Sequence, residues 1–110
     1  MNIDKLLQHY LPMSETAFYT LLSLLEVRHG YGIMQHVDEI TNGRIRLGAG
    51  TLYGSLSRME KDGLIAVISE EERRKSYQAT AAGKTLLKAE MSRIGELYHN
   101  VKRIEGSLHE

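Results

Sequence analysis

Three clusters of side chains stand out in this 110-residue sequence for the contacts they can make. The first is GAGTLYG, Gly48 to Gly54, a glycine-rich run that leads into an apolar and polar pattern ending at Gly63. Glycines at such spacing can cradle a dinucleotide pyrophosphate. That fingerprint, however, needs its third glycine where Tyr53 stands, and no Lys-Ser/Thr pair follows to make a P-loop. The remaining use of Gly48 and Gly50 is a turn that opens a helix and lets its first backbone N–H groups come close to a phosphate. The second cluster is Thr51, Ser55, Arg58 and Asp62, spaced four, three and four apart and therefore on one helix face. Short hydroxyls and Gly54 permit close approach, and Arg58 suits a guanine edge or a phosphate. Tyr53 adds an apolar ring with a hydroxyl tip. The third cluster is Arg73, Arg74 and Lys75, directly after Glu70, Glu71 and Glu72. Alternation along a strand would turn the arginines toward a polyanion and the glutamates toward water.

Other chemistries lack their residues. Cysteine is absent, and His29 and His36 stand seven apart across a glycine break, so no metal site is expected. G-x-S-x-G is missing, and Gly54-Ser55-Leu56-Ser57 has the wrong spacing for a nucleophile elbow. No catalytic constellation and no cofactor site is expected, and an enzyme is not the reading.

The positioning elements follow from periodicity and punctuation. Ile3, Leu6, Leu7, Tyr10 and Leu11 recur at helical spacing and Pro12 ends the run, predicting a short helix over 2–11. Ser14 is an N-cap for a second helix with Phe18, Leu21, Leu22, Leu24 and Leu25 on its apolar side, closed by His29 and a left-handed Gly30. A third helix runs from Tyr31 to Asn42, and the alternating RIRL after it reads as a short isolated strand. Leu52, Leu56 and Met59 form the buried row of a fourth helix, stopped by Gly63. LIAVIS and KSYQAT then read as a β-hairpin with a charged tip. Thr80 caps a final long helix, in which Leu87, Met91, Ile94, Tyr98, Val101 and Leu108 step by four, three, four, three and seven. These are heptad seam positions, widened by Leu97 and Ile104 and interrupted by Glu105, and a second subunit is the expected partner.

The order gives a fold that is α+β and mainly α. A winged helix-turn-helix domain occupies residues 1–80, and a dimerisation helix occupies 81–110. In this arrangement the third core helix enters the major groove of DNA. Composition agrees with one small globular domain, with 42% apolar and 25% charged residues. Such a domain buries a modest core and gains from dimerisation. No apolar run is long enough to span a membrane, and MNIDKLLQHYLP lacks the marks of a signal peptide, so a cytoplasmic protein is expected. Formal net charge is zero, but the stretch from Arg44 to Thr80 carries seven cations against five carboxylates. Neutrality and the Glu run leave a second reading open, a winged-helix protein-interaction module without DNA binding.

HGYGI (His29 to Ile33), GTLYGSLSRMEKDGLI (Gly50 to Ile65) and RKSYQATAAGK (Arg74 to Lys84) together resemble the PadR family of bacterial transcriptional regulators, over essentially the whole chain. The resemblance is to its short branch, with a single C-terminal dimerising helix. It implies a homodimeric repressor on a palindromic double-stranded operator, released by a small aromatic or drug-like effector. It implies that Gly50, Thr51, Tyr53, Gly54, Ser55 and Arg58 approach DNA from the helix, and Arg73, Arg74 and Lys75 from the wing. Leu6, Leu7 and the long-helix stripe would form the dimer, with Met91, Leu97 and Tyr98 lining an effector site. Ser76 and Ala81 depart from the family's usual aromatic and Glu, and the absence of Trp removes a pocket built on stacked indoles.

Overall fold

The computed structural model describes residues 2–109, leaving the outermost residue of each expected segment outside it. Helices α1 (Ile3–Tyr10) and α2 (Glu15–Ser23) lead to a two-residue strand β1 (Arg28–His29). Then come α3 (Gly30–Ile40), α4 (Ala49–Lys61), β2 (Ile65–Glu71), β3 (Arg74–Ala79) and α5 (Ala81–Ile104), which runs on into a 3-10 turn, Glu105–His109. The antiparallel sheet has the order β1-β3-β2. This is the winged helix-turn-helix arrangement, mainly helical, with α3 and α4 as the helix pair and β2–β3 as the wing.

Local chemistry sets most boundaries. Asn2 accepts from Lys5 N, Ser14 from Ala17 N and Thr80 from Gly83 N, each satisfying an N–H that its helix cannot. Gly63 takes φ +78°, and Leu64 N reaches back to Met59 O at 2.9 Å, so α4 ends in a reversal open to glycine at little cost. Gly43, at φ +77°, ends the turn after α3 with Asn42 beside it at φ 51°.

Two local expectations are corrected. Gly30 is not a left-handed helix end. The second helix stops at Ser23, and Gly30 opens α3. The intervening Arg28 and His29 pair with Tyr77 and Ser76 of β3, which makes a strand no local signal announces. RIRL forms no strand, since nothing pairs with it. Leu47 is buried and Ile45 half-buried against the core instead, and Thr41 Oγ1 holds Ile45 N at 3.1 Å.

Leu21, Leu24, Ile33, Val37, Leu52, Leu56, Met59, Leu64 and Ile65 make the centre of the core. Leu86 and Leu87 of α5 close it from one side and Leu6 of α1 from another. Beneath them lies Glu90, fully buried, which accepts from Met13 N at 2.6 Å and from Arg93 Nε. Burial pushes its pKa up, but the Arg93 guanidinium and the Met13 N–H outweigh that and leave it below the usual carboxylate range.

Candidate nucleic-acid interface

Helix α4 buries Leu52, Ser55, Leu56 and Met59. At 100° per residue, the row opposite consists of Gly50, Gly54, Ser57 and Lys61, all exposed. Tyr53 lies on one flank of that row, and Thr51 and Arg58 lie on the other. Ser57 and Lys61 are absent from the expected contact set, although a step of three from Gly54 and a further step of four lead straight to them. Ser55 corrects the expected Thr51–Ser55–Arg58 surface, because it is only 8% exposed. It faces inward, into a cleft of about 230 Å3 that it lines with Met13 and Ala17, while Arg58 stands at the same cleft.

A larger groove, of about 400 Å3, runs between α4 and the wing. Tyr53 and Ser57 supply one wall, Arg73, Arg74, Lys75 and Tyr77 the other, and the His29–Tyr31 stretch its floor. Gly30 is what lets Tyr53 lie there. A methyl at Gly30 would stand 2.8 Å from Tyr53 Cζ and closer still to the hydroxyl. Of the expected contact residues, Tyr53, Arg73, Arg74 and Lys75 thus come together at one groove. Gly50 and Gly54 lie on the adjoining open face, and Thr51 and Arg58 lie round the helix from it.

The wing's charges are arranged differently from the expectation. β2 and β3 meet in a two-residue turn with Glu72 and Arg73 both left-handed, at φ 50° and 68°. Ile68 is a bulge, and beyond it Glu70 stands opposite Lys75 and Glu71 opposite Arg74. Directly opposed residues share a face of the sheet. Each of these two cations therefore has a glutamate beside it, and the wing does not separate its signs. Burial first, then the Glu60 carboxylate, raises the Tyr77 pKa, with Glu70 acting the same way.

The seven cations between Arg44 and Thr80 divide into two sets. Arg44 makes a two-pronged contact with Glu15, at 2.7 and 3.0 Å, and Arg46 lies 3.6 Å from Asp38. Among the described residues Arg58, Lys61, Arg73, Arg74 and Lys75 form no ion pair. All five lie on α4 or the wing. His29 Nδ1 lies 3.3 Å from the Lys75 carbonyl, His36 Nδ1 lies 2.7 Å from Ser23 Oγ, and no group of three potential ligands is gathered among the described residues.

The expected dimer stripe splits in two. Leu87 and Leu6 are corrected to the chain's own core, each 2% exposed, because the first turns of α5 pack on α1, α2 and β3. Beyond Glu90 the helix leaves the domain. Met91, Ile94, Leu97, Tyr98, Val101, Ile104 and Leu108 are exposed, Leu108 to 81%. Leu7 is half-buried at the same end of the molecule, where α1 packs on α5. Met91, Leu97 and Tyr98, expected at an effector site, lie on this open stripe. No helix among the described residues is long and apolar enough to cross a membrane.

Comparison with known proteins adds the following. Residues 21–89 match the model of the transcriptional regulator PadR-like family. A 37.1 kDa protein in transposon TN4556 of Streptomyces fradiae is 33% identical over 82 residues, which are 74% of this chain and 21% of that protein, so the chain spans about a fifth of that relative's length. A PadR family transcription regulator from hypervirulent Clostridium difficile superposes with a TM-score of 0.67 at 27% identity, over 80% of this chain and 96% of that one. A PadR-like transcription factor from Bacteroides fragilis gives 0.66 at 26% identity, over 81% and 88%.

Proposed function

The chain belongs to the PadR-like family of transcriptional regulators, DNA-binding proteins and not enzymes, and on that premise we propose that it is a homodimeric repressor that binds an inverted-repeat operator. One observation supports the reading: the five cations that form no ion pair among the described residues all lie on α4 and the wing, Arg73, Arg74 and Lys75 at the groove and Arg58 and Lys61 farther round α4. Helix α4 enters the major groove with Gly50, Gly54, Ser57 and Lys61 toward the bases and Arg58 and Thr51 at its edge. Tyr53 and the wing cations Arg73, Arg74 and Lys75 lie along the flanking backbone. The projecting half of α5 pairs with its counterpart in a second copy, through Met91, Ile94, Tyr98, Val101 and Leu108, with Leu7 alongside. Two α4 helices then face successive major grooves, about one helical turn apart, which asks for a two-fold repeat in the DNA. A small aromatic effector against Met91, Leu97 and Tyr98 would act by changing the angle between the subunits. The cytoplasm, where the DNA is, is its place of action.

Binding titrations at three salt concentrations test this, on a duplex selected by the protein from a random pool and on a scrambled one. Lys75→Ala is expected to weaken binding to both duplexes alike and to lower the salt slope by about one. Arg58→Ala is expected to cost about 1–3 kcal/mol if Arg58 reads a base, and then only on the selected duplex. If neither substitution changes binding, the interface lies elsewhere.

A second reading has a specific observation in its favour. Glu70 and Glu71 stand opposite wing cations, which suits a protein partner better than a polyanion. A parent protein that selects no duplex at low salt would decide for it.

A further inference from the structure

The groove between α4 and the wing belongs to the site already described, but the opposite flank of α4 holds an arrangement that the DNA reading does not use. Tyr10, the last residue of α1, donates its hydroxyl hydrogen to Asp62 Oδ2 at 2.5 Å, across 52 positions of sequence. Asp62 is the C-cap of α4 and carries a negative charge at the helix end that least favours one. Four residues earlier on the same flank is Arg58, an oppositely charged neighbour at that spacing. Yet Arg58 forms no ion pair among the described residues, and Asp62 turns to Tyr10. Arg58 and Tyr10 line the same cleft. Burial and then the Asp62 carboxylate hold the hydroxyl protonated well above the usual tyrosine range, so it remains a donor at any working pH, against the nearby Arg58 charge.

We propose that Tyr10 is a positioning residue for Arg58: by occupying the Asp62 carboxylate, its hydroxyl stops Asp62 from capturing the guanidinium and leaves Arg58 free to meet DNA. This rests on the DNA-binding reading above. Because Tyr10 lies on α1, which packs on α5, the freedom of Arg58 is tied to how the dimerising end of the molecule sits on the domain.

The test measures affinity for a duplex of about 30 base pairs, enough for two half-sites one turn apart, selected by the parent from a random pool. Tyr10→Phe is expected to weaken binding about twofold, the worth of a helical pair at this spacing. Tyr10→Phe combined with Asp62→Asn is expected to restore parental affinity, since the amide cannot pair with Arg58 as an ion. Placed on Arg58→Ala, Tyr10→Phe should do nothing further. In the DNA-free Tyr10→Phe protein, the Arg58 Nε–H resonance should shift and exchange more slowly as the guanidinium is caught. Tyr10→Leu, which also lacks the hydroxyl, should give the same loss and keeps the test open if Tyr10→Phe does not fold. A loss that persists in the Arg58→Ala background, or an unchanged affinity and resonance, overturns the proposal. These failures are separable from those of the reading beneath it. If the parent selects no duplex, DNA binding itself fails. If the parent binds and Arg58→Ala binds as well, the role of Arg58 fails. If Arg58→Ala weakens binding and Tyr10→Phe does not, only the proposal fails.

Discussion

At the residue scale, His36 and Gly30 show how one side chain, or its lack, sets a measurable property. Burial first, then the Arg28 charge, holds the His36 imidazole below the usual histidine range, with Nδ1 against Ser23 Oγ. The unfolded chain takes up that proton near pH 6.5 and the folded one resists it. The stabilisation is therefore complete above about pH 6.5 and is lost as pH falls below it toward the depressed folded value. Melting curves between about pH 7.5 and about pH 5 should show a falling midpoint, and His36→Gln should flatten that fall relative to the parent. Gly30→Ala should leave the fold standing, because the obstacle is the far end of the Tyr53 ring, and move that ring out toward the wing. Fluorescence of the tyrosines and DNA affinity should both change, with a melting midpoint close to the parent's. The single-residue contacts were only partly legible in the sequence. That Arg58 is exposed on α4 could be read from helical spacing. That Ser55 faces inward could not, because one 100° step separates the exposed face from the cleft. The facing of Glu70 with Lys75 and of Glu71 with Arg74 was hidden too, since it depends on a bulge at Ile68 and a two-residue turn that no alternation pattern fixes.

Elements formed where the chain carries its own punctuation. Ser14, Thr80, Gly43 and Gly63 each act within a few residues, and each boundary they mark is found in the fold. Strand β1 escaped because two residues become a strand only through distant partners in β3, and RIRL looked like a strand but has no partner to make it one. Contact between elements reverses another simple rule. Replacing a mid-helix glycine by alanine ordinarily stabilises by about 1 kcal/mol. Gly83, in the first turn of α5, is where that helix rests on the base of the wing. A methyl there would collide with the Leu64 carbonyl oxygen and sit 3.4 Å from Leu21 Cδ1. Gly83→Ala should therefore destabilise by about 1–3 kcal/mol, since backbone has to shift. Urea denaturation checks this, with Gly95→Ala as the comparison, because nothing lies within 4 Å of a methyl at Gly95 and that variant should be at least as stable as the parent.

For the whole molecule, the decisive fact is that α5 divides in two, its first turns closing the core and its outer half left exposed. Leu86 and Leu87 are worth about 1.5–3 kcal/mol each to the chain's own core. The apolar residues past Glu90 contribute nothing comparable until something covers them. The heptad pattern announced the stripe but not the division, because the same spacing serves a core and a seam. If the outer half pairs with a second copy, Ile94→Glu with Val101→Glu should give one-chain mass by sedimentation while the winged core, which buries neither residue, keeps its cooperative melt. An unchanged dimer would exclude the stripe as the seam.

The wing, finally, bears on how quickly a target is found. Its exposed Arg74 and Lys75 each share a face with a glutamate, and the chain as a whole has no net charge. Such a surface casts little long-range attraction over a polyanion, so encounters are not steered, and arrival rates should stay near the unassisted range of about 10^5–10^6 per molar per second. If the protein searches DNA as proposed, stops on random sequence should be brief, and the search should proceed by hopping more than by sliding. Occupancy is then decided by how slowly the protein leaves its own site, and Glu70→Gln with Glu71→Gln should speed arrival while lengthening the stay everywhere else.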